Sequence, residues 1–166
     1  MSLMVQISRR PWLALTGFIA SSFLAGAIGS SATFPNVRTW YPLLNKPSWN
    51  PPGWIFGPVW TCLYVLMGVA IWRAWRAGTN EGRPSRRPLV TGYFVQLGLN
   101  ALWSVLFFGL RQPGWALVDI IVLWGLLVWL LAGLGRADRL AGVLWAPYLL
   151  WVSFATVLNL AIVRLN

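Results

Sequence analysis

The sequence predicts an all-α membrane protein, with residues 1–166 forming a single domain built as a bundle of five transmembrane helices. Of the 166 residues, 58% are apolar and only 10% are charged, and the mean hydropathy is +0.65. A soluble domain carries about 25% charged residues, so this chain has too few charges to cover a water-facing surface. Its apolar stretches are continuous rather than alternating, which favours membrane helices over the strands of a membrane β-barrel.

Five apolar stretches are long enough to cross a bilayer as helices, which takes about 20 residues each. They cover about 12–33, 52–75, 89–110, 114–135 and 140–163, and they use almost the whole chain. Arg9-Arg10 before the first stretch resembles the start of a signal peptide. That stretch is longer than the ~7–15 residues of the apolar core of a signal peptide, so we expect it to remain as an uncleaved helix.

Basic residues predict the orientation of the chain in the membrane. One side carries nine of them: Arg9, Arg10, Arg73, Arg76, Arg83, Arg86, Arg87, Arg136 and Arg139. The other side carries four: Arg38, Lys46, Arg111 and Arg164. Because cytoplasmic loops carry the excess of Lys and Arg, the N-terminus and the Arg-rich second loop are expected in the cytoplasm. The net charge of +10 thus indicates membrane topology and contact with anionic lipid rather than a nucleic-acid partner.

The composition argues against several kinds of functional site. The chain has no His and one cysteine, Cys62, so neither an internal disulfide nor a Cys-rich metal site is expected. Cys62 lies in an apolar stretch and is interpreted as an inert packing residue. Asp119 is the one acid within the predicted helices and is interpreted as a buried, hydrogen-bonded group rather than a proton relay. No catalytic constellation is present, and no cofactor is expected to be required.

The first loop, about 34–51, is the most informative stretch. It contains or adjoins five prolines that fix φ and remove backbone donors: Pro35, Pro42, Pro47, Pro51 and Pro52. Trp40, Tyr41 and Trp49 lie among them. Aromatic residues often form a belt at the membrane boundary, but a stiff loop of this length is more often functional. We therefore predict a lid over one end of the bundle, neither helix nor strand.

Three helices carry aromatic or polar residues on one face. The sets are Phe56, Trp60 and Tyr64 on the second helix, Gln96, Asn100, Trp103 and Phe107 on the third, and Trp151, Ala155 and Asn159 on the fifth. Such stripes are often ordinary helix packing, and polar residues at membrane depth often bond to neighbouring helices. The functional alternative is the wall of a pocket for a flat hydrophobic ligand, with the polar groups as anchors.

The chain resembles the TspO/MBR family, the translocator proteins also called peripheral-type benzodiazepine receptors. The resemblance rests on Trp40-Tyr41, Lys46-Pro47-Ser48-Trp49, Pro51-Pro52, Gly57-Pro58-Val59-Trp60, Leu63-Tyr64, Leu99 to Ser104, Trp115 to Asp119, Pro147 to Trp151 and Phe154-Ala155-Thr156. It implies a five-helix homodimer that binds porphyrins, cholesterol-like lipids and benzodiazepine-type ligands under the first loop. It also implies a bacterial-type protein of the inner membrane with a role in tetrapyrrole handling.

Carried onto matching positions, the resemblance implies a ligand-binding site closed by the first loop. Its walls are Trp40, Tyr41, Pro51, Trp60, Tyr64, Asn100, Trp103, Trp151 and Ala155. At the end of the fifth helix, Leu160 and Ala161 stand where the family's cholesterol motif has tyrosine, although Arg164 is present. Because the tyrosine of that motif is missing here, and the motif is itself a weak indicator, we rank porphyrin above sterol as the ligand. A light- and oxygen-dependent porphyrin-degrading enzyme and a transporter of the ligand remain as alternatives.

Small residues suggest where a homodimer forms. They are Gly26, Gly29, Ser30 and Thr33 on the first helix and Gly92, Gly98 and Ala101 on the third. Small side chains let the backbones of membrane helices approach closely. The sequence leaves open which of these faces serve the dimer and which serve packing within one chain.

Overall fold

A computed structural model describes residues 11–77 and 86–166, and it confirms the predicted fold class. Within these ranges, five helices are long and apolar enough to cross a membrane. They are α1 (Pro11–Val37), α2 (Phe56–Ala77), α3 (Arg86–Ser104), α4 (Pro113–Ala137) and α5 (Arg139–Leu165). The protein is therefore an integral, multi-pass membrane protein. Arg9-Arg10 and most of the Arg-rich loop, including Arg83, lie outside the described residues.

The first loop lies later in the chain than predicted, because α1 continues to Val37 rather than ending near Thr33, and α2 starts at Phe56 rather than near Pro52. Pro35 lies inside this helix, where its missing N–H removes one backbone hydrogen bond without ending the helix. The loop also contains regular structure, contrary to the prediction. Two 3₁₀ turns, Tyr41–Leu43 and Gly53–Ile55, form its middle and its junction with α2.

The five helices form a closed ring. Each helix packs against its two neighbours around the ring, in the order α1, α2, α5, α4, α3 and back to α1. Large residues such as Met67, Leu130 and Trp145 are fully buried where these helices meet. The lipid-facing side is apolar, with Leu24, Val143 and Leu150 among its exposed residues. A bundle that buries large side chains inside and exposes apolar ones outside suits a lipid environment.

One end of the ring is tightly closed, and we call it the closed end. The Arg73 guanidinium donates to both carboxylate oxygens of Asp138, at 3.1 and 2.8 Å, linking α2 to the α4–α5 turn. Asp138 also caps α5 by accepting from the Ala141 amide at 2.8 Å. The hydrogen bond from Arg73 is the main reason that the pKa of Asp138 lies below its usual value. The opposite end, which carries the first loop, is the loop end.

Close helix contacts also concentrate toward the closed end. A Cβ added at Gly68 of α2 would lie 2.9 Å from the backbone of Ile19 in α1. A Cβ added at Gly142 of α5 would lie 2.9 Å from the Cα of Gly135 in α4. Glycine at both positions thus allows two helix pairs to touch backbone to backbone. Space for a ligand is left at the loop end.

Candidate ligand-binding cavity

A cavity of about 630 Å³ occupies the centre of the ring at the loop end. All five helices and the first loop contribute to its wall. Its volume falls within the range of about 300–1,000 Å³ that is usual for small-molecule sites. The wall is mostly apolar and aromatic, with a few polar groups, which is the usual composition of such a site.

The aromatic stripe on α2 forms one wall. Phe56, Trp60 and Tyr64 all line the cavity, as a spacing of four residues on a helix predicts. The Trp60 and Tyr64 rings lie 5.4 Å apart between centroids. Phe56 meets Trp151 of α5 edge to face at 5.7 Å. The two helices therefore present a continuous aromatic surface to the cavity.

The end of α3 forms a second aromatic wall. Val105–Gly109 is a π-helical turn, closed by the bond from the Leu110 amide to the Val105 carbonyl at 2.8 Å. Phe107 in this turn stacks on Trp103, with ring centroids 5.0 Å apart and planes 24° apart. Single π-turns within helices are frequent at functional sites, because the extra residue redirects side chains. The sequence predicted an uninterrupted helix here.

Two buried polar clusters reach the cavity. Asn100 Nδ2 donates to the Tyr148 hydroxyl at 3.1 Å, and that hydroxyl donates to Gln96 Oε1 at 2.9 Å. Trp103 Nε1 donates to Asn159 Oδ1 at 3.0 Å. Asn159 Nδ2 in turn donates to the Pro113 carbonyl at 2.9 Å. These bonds fix the amide side chains that border the cavity, which pre-forms its polar edge.

Asp119 lies outside these clusters. It is buried, as predicted, but its Oδ2 has no hydrogen-bond partner among the described residues, so the expectation of a hydrogen-bonded acid is not met for that oxygen. Cys62 is exposed on the outer surface rather than packed inside. It borders a shallow lipid-facing groove with Leu66 and Pro147.

Small residues of α1 form a side of the cavity that was not predicted from the sequence. A Cβ at Gly26 would lie 2.5 Å from the Tyr64 ring, and one at Gly29 would lie 2.9 Å from Ser104 Oγ. Ser30 and Thr33 also line the cavity. The face of α1 that the sequence suggested for a dimer is thus used within the monomer.

On α3, two of the small residues proposed for the dimer also face inward. Gly92 packs on Trp129, and Ala101 is buried. Gly98 alone of the three small residues is exposed, with no atom within 4 Å of an added Cβ. The homodimer itself stays a prediction.

The first loop is held together by its own polar groups. Tyr41 donates its hydroxyl to Asn50 Oδ1 at 2.8 Å. Burial raises the pKa of the Tyr41 hydroxyl, and the bond to Asn50 partly offsets that rise. Lys46 Nζ lies 5.0 Å from the Tyr41 ring centroid and donates to the carbonyls of Tyr41, Pro42 and Leu44, at 2.9, 3.3 and 2.7 Å. The Lys46 charge is therefore engaged by the loop backbone.

Hydrogen bonds to the rest of the bundle hold the loop and the end of α1 that precedes it. Asn166 accepts from the Asn45 amide and donates to the Asn45 carbonyl, both at 3.0 Å. Arg111, whose φ of 56° places it in the left-handed region, donates from its guanidinium to Asn36 Oδ1 at 2.8 Å. The loop is thus fixed to the end of α5, and the last turn of α1, just before the loop, is fixed to the α3–α4 connection.

Seven of the nine residues implied as ligand-binding line this one cavity: Tyr41, Trp60, Tyr64, Asn100, Trp103, Trp151 and Ala155. Trp40 and Pro51 are not among its lining residues. Trp40 packs edge to face on Phe107 at 5.9 Å, behind the wall. Whether the seven contact a ligand stays a prediction.

The sequence missed the contributions of α1 and α4. Phe23, Phe34, Ile120 and Leu123 line the cavity, and none belongs to a polar or aromatic stripe. Apolar residues on an apolar membrane helix carry no periodic signal that separates a cavity wall from lipid contact. The small residues of α1 were the one available sign, because they leave space beside a helix as readily as they admit another helix.

Comparisons with known proteins agree with the resemblance. The sequence pattern that defines the TspO/MBR family matches residues 18–165. A tryptophan-rich protein TspO from Archaeoglobus fulgidus is 42% identical over 155 residues, covering 93% of this chain and 97% of that protein. The translocator protein of Homo sapiens is 39% identical over 158 residues, covering 94% and 92%. A tryptophan-rich sensory protein from Cereibacter sphaeroides is 37% identical over 155 residues, covering 93% and 92%.

Proposed function

The chain belongs to the TspO/MBR family, and from that premise we propose that it binds a flat, hydrophobic ligand of the porphyrin class in the cavity at the loop end. The observation that supports this most directly is the composition of the wall. Trp60, Trp103 and Trp151 come from three different helices and line one space of about 630 Å³. A rigid, planar ring system gains stacking contacts from several indoles without losing internal conformational freedom.

The polar groups at the cavity edge suit a macrocycle with a few heteroatoms. Asn100 and Asn159 are buried, line the cavity and are held by hydrogen bonds to Tyr148 and Trp103. Polar groups fixed in advance orient a ligand without an ordering cost at the moment of binding. A sterol, which offers a single hydroxyl, uses fewer of these groups than a tetrapyrrole.

Titration with protoporphyrin tests this function. Trp60→Leu and Trp151→Leu should each weaken binding by about 1–3 kcal/mol, the usual worth of ring stacking on an aromatic side chain. Trp115→Leu is the matched control, because Trp115 is an exposed tryptophan on α4 outside the cavity. Binding would be followed by porphyrin absorbance in lipid nanodiscs. Equal affinities for all three variants and the wild type would place the ligand elsewhere.

A light-driven breakdown of the bound porphyrin is the second candidate. It is favoured by the tryptophans that border the cavity, since indoles are oxidisable and would lie against an excited ring. In this case illumination in air should yield a new absorbing product, which Trp60→Leu and Trp151→Leu should reduce. No light-dependent product beyond that of free porphyrin would leave binding, with a regulatory or transport role, as the function. Uptake of porphyrin into sealed vesicles would identify transport.

We infer that the closed end faces the cytoplasm and the loop end the opposite side, in a bacterial inner membrane. Arg73, Arg76, Arg136 and Arg139 all lie toward the closed end, which supports this orientation by the excess of basic residues on the cytoplasmic side. Thr39→Cys in the first loop, in a Cys62→Ser background, should react with an impermeant thiol reagent added outside cells. Reaction only after membrane permeabilisation would reverse the assignment.

A further inference from the structure

We propose that the ligand reaches the cavity sideways from the bilayer, through a slot between α1 and α2, and not past the first loop. On α1 the slot is bordered by Phe23, Ala27, Ser30 and Phe34. Across from them lie Gly53, just before α2, and Gly57 and Thr61 on α2. This inference rests on the proposed function, because it concerns the route to the same cavity.

The exposure of the lining residues locates the opening. All seven slot residues line the cavity and are exposed at the same time. The cavity-lining residues on α3, α4 and α5 are buried or half-buried. A wall residue that is both exposed and lining marks the place where the cavity meets the outside. About three helical turns of α1, residues 23–34, border the opening, which at 1.5 Å per residue is about 16 Å long.

The packing of α1 on α2 explains why the slot exists. Near the closed end the two helices touch, since a Cβ at Gly68 would lie 2.9 Å from the Ile19 backbone. Further along, a Cβ at Gly26 would already meet the Tyr64 ring rather than backbone. At Gly57 and Gly53 an added Cβ would meet no atom within 4 Å. The space between the helices therefore widens steadily toward the loop end.

The chemistry of the slot suits an apolar molecule that arrives from lipid. Its side chains include two phenylalanines and an alanine, and the Thr61 hydroxyl is bonded to the Gly57 carbonyl at 2.9 Å. Thr33, just inside, bonds to the Gly29 carbonyl in the same way at 2.9 Å. Both threonine hydroxyls are therefore satisfied by their own helices, so neither presents an unpaired polar group to a hydrophobic ligand.

The loop offers a much harder route. Opening it would break both hydrogen bonds between Asn45 and Asn166 and the bond from Asn45 Nδ2 to the Leu165 carbonyl. It would also separate the rings of Trp40 from Phe107 and of Trp49 from Phe154, each pair at 5.9 Å. Passage through the slot breaks none of these contacts and meets exposed side chains such as Phe34, which is 73% exposed. A flat molecule dissolved in the bilayer would enter edge first.

Narrowing the slot without repacking the bundle tests the route. Gly57→Leu and Ala27→Leu place bulk in the opening, and Gly125→Leu is the control. Gly125 is an exposed glycine of α4 with no atom within 4 Å of an added Cβ, and it lies outside the cavity. Rates of protoporphyrin binding and release would be measured by stopped-flow fluorescence in nanodiscs, alongside equilibrium titration.

A blocked route slows entry and exit alike, whereas a leucine that crowds the bound ligand inside the cavity speeds its release. Both rates should fall together by about tenfold in the slot variants, an added barrier of about 1.4 kcal/mol in each direction. The Gly125→Leu rates should equal those of the wild type. Slot variants with unchanged rates, or with a weaker affinity and an unchanged binding rate, would overturn the route.

Locking the first loop in place tests the alternative route, in which the ligand enters past the loop. Asn45→Cys with Asn166→Cys, in a Cys62→Ser background, should form a disulfide that holds the loop in place. Wild-type rates in the oxidised protein support the slot, whereas slow rates that recover on reduction would assign entry to the loop. If the wild type shows no saturable binding, the proposed function fails and the route with it. Normal binding with unchanged rates in the slot variants overturns the route alone.

Discussion

Gly26 of α1 lies directly against the ring of Tyr64, so closely that a Cβ at this position would come within 2.5 Å of Cε2 and 2.6 Å of the hydroxyl oxygen. Tyr64 is part of the cavity wall and tilts against Trp60. A glycine on one helix thereby sets the position of an aromatic residue on the next. The first prediction follows from this contact.

Gly26→Ala should move the Tyr64 ring and weaken both folding and porphyrin binding. Overpacking typically costs about 1–3 kcal/mol, and here the displaced Tyr64 ring would shift into the adjoining cavity; the helix-propensity gain of about 1 kcal/mol from Gly to Ala offsets part of the cost to folding. Gly17→Ala on the same helix is the control, because Gly17 is exposed with no atom within 4 Å of an added Cβ. It should be neutral or slightly stabilising. Thermal unfolding in detergent measures the effect on folding, and titration with protoporphyrin measures the effect on binding. A Gly26→Ala variant that is neutral in both measurements would contradict the contact.

Asn159 links three elements, and its removal should be costly. It accepts from Trp103 of α3 and donates to the Pro113 carbonyl at the start of α4. Asn159→Leu leaves both partners unpaired, and bonds between membrane helices contribute about 0.6–1.7 kcal/mol each. A double-mutant cycle with Trp103→Phe should show coupling, since either change removes the same bond. Strictly additive effects on unfolding would mean that the bond contributes nothing.

Asp138 makes the stability of the closed end dependent on pH. Its pKa is lowered in the folded protein, chiefly by Arg73, so its stabilisation is present above the unfolded pKa of about 3.9 and is lost as the pH falls through the folded pKa. Asn is as good an N-cap as Asp, so Asp138→Asn removes the charge and keeps the cap.

At neutral pH, Asp138→Asn should cost at most about 1 kcal/mol, because the Arg73 side chain is 35% exposed and solvent screens the pair. Asp138→Ala should cost about 1 kcal/mol more through loss of the cap. The difference in melting temperature between wild type and Asp138→Asn should shrink as the pH is lowered from 7 to below 4. A difference that is the same at both ends of this range would remove the ion pair as its cause.

Most of the fold could be predicted because lipid imposes a simple rule on the sequence. An apolar stretch of about 20 residues must be a helix, since no other single segment satisfies its own backbone in a bilayer. The end of α1 could not be predicted in the same way. Pro35 reads as a helix terminator in isolation, but α1 continues past it to Val37.

The candidate site was predictable where residue chemistry is unusual for a membrane helix. Trp60, Asn100 and Trp151 stand out by type and spacing, and all three line the cavity. Phe34 and Leu123 do not stand out, because an apolar residue is expected on every face of such a helix. The role of Lys46 was missed for another reason: its carbonyl partners lie on a loop whose path depends on two 3₁₀ turns.

Lys46 therefore gives the last prediction, which separates two roles for one charge. By sequence, a basic residue on the first loop is a candidate for attracting porphyrin carboxylates. In the structure its ammonium group donates hydrogen bonds to the carbonyls of Tyr41 and Leu44, at 2.9 and 2.7 Å. We call this set of bonds, which holds the turn together, the Lys46 staple. Lys46→Met keeps most of the side-chain length and removes the three donors. Arg38→Met is the matched control, because Arg38 is an exposed cation of the same loop.

If Lys46 acts as a staple, Lys46→Met should loosen the turn and Arg38→Met should not. The amides of Leu43 and Leu44, which bond to the carbonyls of Trp40 and Tyr41, would then exchange faster with deuterated water in Lys46→Met alone. If Lys46 instead acts by its charge, both variants should weaken porphyrin binding similarly, and the loss should diminish with added salt. Exchange at Leu43 and Leu44 that is unchanged by Lys46→Met would rule out the staple, because bonds to a charged donor are among the stronger ones in a loop.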